Sequence, residues 1–196
     1  MANARITINK IDSQIIAPII STTYNVAKNL VVTLKDDKGN VLSGQTVTVN
    51  LNGKVYNKIT DAKGQIKISV SLPAKEYSAK ITFAGSDIYK SSAKTIKVTV
   101  KKATPKLIAS SKKFKAKSKS KKVTVTFKNN KGKAMKKVKH TLKVKGKTYK
   151  ATTNAKGKAT FNLKKLTKKG KYSAVFKYAG SSNYKQASKK IRVTIK

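Results

Sequence analysis

Val47-Thr48-Val49-Asn50-Leu51-Asn52-Gly53-Lys54-Val55-Tyr56 decides the fold class. Apolar and polar residues alternate from Val47 to Leu51, which is the period of a half-buried strand. Asn52-Gly53 is a two-residue turn of the kind that accepts positive φ and folds the chain back as a hairpin. Beyond it the inward phase is open between Val55/Ile59 and Tyr56. Thr60-Asp61-Ala62-Lys63-Gly64 then fits a type I turn closed by a glycine bulge.

The same block recurs. Leu142-Lys143-Val144-Lys145-Gly146-Lys147-Thr148-Tyr149 and Thr153-Asn154-Ala155-Lys156-Gly157 follow at an offset of 93. Phe83-Ala84-Gly85-Ser86-Asp87-Ile88-Tyr89 returns as Tyr178-Ala179-Gly180-Ser181-Ser182-Asn183-Tyr184 at an offset of 95, so the second copy gains two residues near Leu166–Gly170. Internal duplication of this length predicts two domains, 1–102 and 103–196, joined near Pro105.

Period-2 apolar positions mark about seven strands per copy. In the first they are Ile6/Ile8, Leu30/Val32/Leu34, Val47/Val49/Leu51, the Val55–Ile59 segment, Ile66/Ile68/Val70, Tyr77/Ala79/Ile81/Phe83 and Ile96/Val98/Val100. In the second they are Leu107/Ala109, Val123/Val125/Phe127, His140/Leu142/Val144, Ala159/Phe161/Leu163, Tyr172/Ala174/Phe176/Tyr178 and Ile191/Val193/Ile195. No helical periodicity appears. The expected fold is all-β: two immunoglobulin-like sandwiches of about seven antiparallel strands, arranged head to tail. A small barrel is the alternative. Tyr77 and Tyr172 open the penultimate strand, where a corner tyrosine or a plain core aromatic would sit.

The charge is lopsided. The 196 residues hold 47 Lys plus Arg against 6 Asp plus Glu, a formal net charge of +41. Residues 1–100 carry 14 basic residues and all six acids, a net +8. Residues 101–196 carry 33 basic residues and no Asp or Glu. Such self-repulsion calls for counterions or a polyanionic neighbour. The partner-binding candidates are the lysine stretches: Lys112, Lys113, Lys115, Lys117, Lys119, Lys121 and Lys122; Lys136, Lys137 and Lys139; Lys164, Lys165, Lys168, Lys169 and Lys171. Only Arg5 and Arg192 are arginine. Base-specific readout favours the planar arginine fork, and most aromatics fall at core positions, so specific nucleic-acid recognition is not expected.

Chemistry is sparse. There is no Cys, which excludes thiol catalysis, cysteine-ligated zinc and disulfides. His140 is the one histidine and aligns with the inward Val47, so it reads as a structural core residue. Its copy has no carboxylate to complete an acid–base pair or a Ser-His-Asp arrangement. Asp36, Asp37, Asp61 and Asp87 gather at one pole of copy one, where oxygen-rich loops can hold Ca²⁺. Their counterparts Asn129, Asn130, Asn154 and Ser182 keep turn geometry without the charge, which favours turn chemistry. No catalytic, cofactor or metal site is expected, and no run is long and apolar enough to insert in a membrane. The first residues lack a signal-peptide pattern. A strand-like pattern follows Met1 at once, so a longer parent protein is expected.

Asp37-Lys38-Gly39-Asn40, Asn52-Gly53, Thr60–Gly64, Tyr77, Phe83–Tyr89 and the closing Val98-Thr99-Val100 resemble bacterial-type Ig-like repeats of surface adhesins and invasin-like stalks. Thr104-Pro105-Lys106-Leu107, Phe114–Lys117, Thr148–Asn154, Lys168–Tyr172 and Tyr178-Ala179-Gly180 are more similar to the lysine-rich Ig-like repeat of adhesin-like proteins from methanogenic archaea. The resemblance implies a non-enzymatic, extracellular protein of the cell surface. Its cationic second domain would associate with anionic wall polymer of the pseudomurein type, and its first would space or engage a host-cell or microbial surface ligand. A general polyanion or nucleic-acid binder is the competing reading. A self-formed isopeptide bond needs a buried acid, which copy two lacks.

Overall fold

The computed structural model describes residues 9–196. The expected strand at Ile6/Ile8 lies outside the described residues. The chain divides into two compact units, Met1–Lys101 and Lys102–Lys196. Each unit is a sandwich of one three-stranded and one five-stranded sheet.

Domain 1 contains β1 (Ser13–Ile16), β2 (Ile20–Thr23), β3 (Lys28–Asp36), β4 (Thr46–Leu51), β5 (Lys54–Ile59), β6 (Gln65–Val70), β7 (Glu76–Phe83) and β8 (Ser92–Lys101). Its sheets run β1-β3-β6 and β2-β8-β7-β4-β5. Domain 2 contains β9 (Lys106–Ile108), β10 (Lys112–Phe114), β11 (Lys122–Lys128), β12 (Lys139–Val144), β13 (Lys147–Thr152), β14 (Lys158–Asn162), β15 (Gly170–Tyr178) and β16 (Ala187–Ile195). It repeats the same order as β9-β11-β14 and β10-β16-β15-β12-β13. Two separate sheets per domain correct the barrel alternative.

The strand count is eight per domain among the described residues, not seven: each domain opens with two short strands in different sheets, of which β1 and β2 lie outside every apolar pair assigned from the sequence. β1 pairs antiparallel with β3, and β2 pairs parallel with β8. In domain 1 the break falls at Ala17-Pro18-Ile19, where proline has no N–H to give a ladder. β9 and β10 repeat this switch. β10 escapes a period-2 reading because Lys112-Lys113-Phe114 offers one apolar residue.

The turns form as their residues dictate. Asn52-Gly53 adopts φ of 53° and 75°, and Lys145-Gly146 adopts 47° and 73°. Tyr56 is half-buried while Val55 and Ile59 are exposed, which fixes the open phase. Gly64 and Gly157 close the expected bulge turns. A Cβ on Gly157 would stand 2.6 Å from the Phe127 carbonyl oxygen, so only glycine fits. The Tyr77 hydroxyl donates to the Pro73 carbonyl (2.9 Å) and the Tyr172 hydroxyl to the Lys168 carbonyl (2.7 Å). Both are therefore corner tyrosines.

Two of the four acids gathered at the pole of copy one are engaged by their own turns. Asp36 Oδ1 accepts from the N–H groups of Lys38 (3.0 Å) and Asn40 (2.8 Å), and Asp61 Oδ1 from those of Lys63 and Gln65 (both 2.9 Å). Asn129 and Asn154 accept from the same relative positions in domain 2. Neutral side chains do the same work, so these carboxylates serve the turns. The Asn40 amide holds Asp36 below the usual carboxylate value, and the Gln65 N–H does so for Asp61; partial burial opposes both.

Candidate polyanion-binding surface

Fourteen of the fifteen candidate lysines are exposed. The exception corrects the sequence reading. Lys121 is 1% exposed, and its ammonium donates to the carbonyls of Ala116 (3.0 Å) and Ser118 (2.6 Å). It precedes β11 at the same parity as Val123, Val125 and Phe127, so its stem points inward. The charge is spent inside the protein, tying down the 116–120 loop. Lys121 is thus no part of a binding surface.

The other stretches separate into two places. Residues 115–122 and 164–171 meet at one pole: Leu163 N–H donates to the Lys121 carbonyl (2.9 Å), and Gly170 sits opposite Ile195. Lys136 and Lys137 lie at the other pole, where the Lys137 N–H bonds the Thr153 carbonyl (2.9 Å).

A third group of cations is spread over strands: the lysine runs contain its Lys113, Lys139 and Lys171 but miss Lys143, Lys150, Lys177 and Lys190. On the outer face of the five-stranded sheet, Lys150, Thr141, Lys177 and Ser188 form one cross-strand row. Thr148, Lys143, Val175 and Lys190 form the next. Lys139 opposes Thr152, Arg192 opposes Ser173, and Lys171 and Lys113 flank Thr194. The signal was present as lysine at every second residue, between the inward Leu142, Val144, Phe176 and Ile191.

Domain 1 shows the same face with other chemistry. Thr48 pairs with Asn57 and Thr82, and Asn50 with Val55 and Lys80. Thr46, Thr82 and Thr95 occupy the sites of Lys139, Lys177 and Lys190. Of the cations on that face, Lys97 is paired with Glu76 at 2.7 Å. Domain 2 has no carboxylate side chain to do the same.

His140 takes the inward site of Val47, as its alignment implies. It is 1% exposed, packs edge-on against Phe127 (centroids 4.5 Å apart) and lies 5.7 Å from Tyr178. Neither ring nitrogen has a hydrogen-bond partner. Burial pushes its pKa below the ordinary 6.5, opposed by the nearby Lys177 backbone. A lone imidazole among aromatics has nothing to exchange protons with, so it is core.

No protein-family model matches the chain, and no curated protein matches it. Solved structures do. The titin domains Z1Z2, in complex with telethonin, are similar with a TM-score of 0.51 and 10% identity, covering 94% of this chain and 96% of that one. The shared fold is the tandem Ig-type sandwich. Invasin, a bacterial integrin-binding protein, gives a TM-score of 0.49 and 16% identity over 94% of this chain and 39% of its own. A 1.5-MDa bacterial ice-binding adhesin gives 0.39 and 16% over 95% and 66%. The chain thus spans roughly two fifths to two thirds of those two chains. At these identities the likeness concerns fold alone.

Proposed function

We propose that this chain is a non-catalytic module of an extracellular adhesin or stalk, and that its second domain holds anionic cell-wall polymer, of the pseudomurein type, by electrostatics. One observation carries the reading. Two domains of one topology differ in that the second is covered with lysines that have no internal counterion, at sites where the first has Thr and Asn. Stability does not require those charges, because domain 1 builds the same sheet without them. Like charges crowded on one surface repel one another, so a partner outside the molecule accounts for them better than the fold does. The lysine-rich motifs of the second copy support the archaeal wall as the source of that partner.

Nucleic acid is the weaker partner. All eight aromatic residues of domain 2 are buried or half-buried, which leaves no open platform for base stacking. Lys145 covers the Tyr172 ring at 5.8 Å.

The test is retention of the full chain on isolated pseudomurein sacculi and on DNA-cellulose of matched charge, across a salt series. Retention on sacculi should exceed that on DNA and should fall at least tenfold between 50 and 200 mM salt, as expected when small ions compete for exposed charges. Retention that ignores salt, or that favours DNA, overturns the reading.

A further inference from the structure

We propose that the polymer lies on the outer face of the β10-β16-β15-β12-β13 sheet rather than on the lysine-rich loops, and that it is a linear acidic polysaccharide. This rests on the polyanion reading above and names where and what domain 2 binds.

Shape is the first ground. Two shallow depressions of domain 2 open on this face. One, of about 970 Å³, is rimmed by Lys139, Lys150 and Lys177 around Thr141. The other, of about 590 Å³, is bordered by Lys113, Lys190 and Arg192 beside Ser173. A flexible chain gains more from a trough on a rigid sheet than from lysines on loops, whose side chains must be ordered first.

Spacing is the second ground. Over the two central rows no cation stands directly opposite another: Lys150 and Lys177 flank Thr141, while Lys143 and Lys190 flank Val175. Strand spacing and rise put successive cations of the diagonal Lys139–Lys177–Lys190 roughly 8 Å apart. The diagonal runs from the first depression to the second. It offers a line of positive charge with hydroxyls between, from Thr141 and Ser188.

Chemistry is the third ground. A hydroxyl both donates and accepts, and an ammonium only donates. Alternating the two matches a polymer that presents carboxylates among sugar hydroxyls. It matches a nucleic acid poorly, since the face has one Arg and no exposed aromatic. The equivalents Thr46, Thr82 and Thr95 show that the scaffold tolerates the neutral version of the diagonal.

The experiment uses the full chain with polygalacturonate as probe, and duplex DNA of equal charge as control. A face variant carries Lys139→Thr, Lys177→Thr and Lys190→Thr. A loop variant carries Lys117→Thr, Lys119→Thr and Lys165→Thr and loses the same charge. The face variant should weaken polygalacturonate binding at least tenfold and the loop variant less than threefold. In the unsubstituted chain, polygalacturonate should shift the amide resonances of Thr141 and Ser188 more than those of the 115–120 loop, a readout independent of how well either variant folds. Equal weakening by both variants, with shifts largest in the loop, overturns the face assignment while leaving polyanion binding intact. Tighter binding of DNA than of polygalacturonate overturns the polysaccharide. Binding of neither probe overturns both this inference and the reading beneath it.

Discussion

Domains 1 and 2 share strand order, turn chemistry and corner tyrosine, yet they divide their polar residues in opposite ways. Domain 1 hydrogen-bonds its turns with Asp36 and Asp61 and pairs Lys97 with Glu76 and Lys90 with Asp12. Domain 2 bonds the same turns with Asn129 and Asn154 and leaves its surface cations without carboxylates. Inward residues and turns set this sandwich, and the outward residues are free to carry a second message. The cores differ too: Leu34, Val47 and Phe83 become Phe127, His140 and Tyr178. One lysine has crossed from the outward set to the inward one.

That crossing gives the largest expected difference between the domains. Lys121→Met should cost domain 2 about 2–3 kcal/mol, because two partly buried carbonyls lose a charged donor. Its counterpart Lys28 is exposed with one longer bond to the Ser21 carbonyl (3.3 Å), and Lys28→Met should cost about 0.5 kcal/mol or less. Residue-resolved hydrogen exchange on the full chain reads both. Equal costs would mean Lys121 is not the anchor described.

Acid should separate the domains next. His140 has a lowered pKa in the folded state, so it folds neutral while the unfolded chain takes a proton near 6.5. Its contribution is therefore present above pH 6.5 and lost as pH falls from there through the lowered value. Asp36 and Asp61 are also lowered, from 3.8, so domain 1 keeps their contribution until pH falls below about that value. Between pH 6.5 and 4, exchange protection should decline in domain 2 and hold in domain 1. His140→Leu should abolish the decline and raise domain 2 stability at neutral pH by about 1 kcal/mol, since two unpartnered nitrogens leave the core.

The corner tyrosines should bring the domains back into line. Tyr77→Phe and Tyr172→Phe each remove one hydroxyl-to-carbonyl bond and should each cost about 1 kcal/mol by the same exchange measurement. A cost confined to one domain would break the equivalence. The smallest effect is a gain: Lys145→Asn installs the Asn52 solution at a positive-φ turn position and should stabilise domain 2 by about 0.5 kcal/mol, read from its melting temperature.

Most of the fold was legible because its determinants are local. Asn52-Gly53, Gly64, Gly157 and the alternation Val47-Val49-Leu51 each specify conformation through their own sterics or parity. The split first strand was not, since β2 and β10 are defined by a parallel partner some 80 residues away. The corner role of Tyr172 was half legible: its place was visible, its acceptor was not. The lysine runs marked the cationic domain but did not outline the sheet face proposed above. Counting charges along the chain cannot distinguish Lys121, which is folded in, from Lys122, which is not. Nor does it gather Lys139, Lys177 and Lys190, which become neighbours only through strand register.

The split strand has a mechanical corollary. In each domain the segment near the entrance, β2 or β10, lies parallel to the segment at the exit, β8 or β16. Tension between the two ends pulls these neighbours in opposite directions along their length. All the bonds joining them then bear load together in shear, and none is peeled off first. Resistance to extraction would reside in a strip of three or four residues per domain.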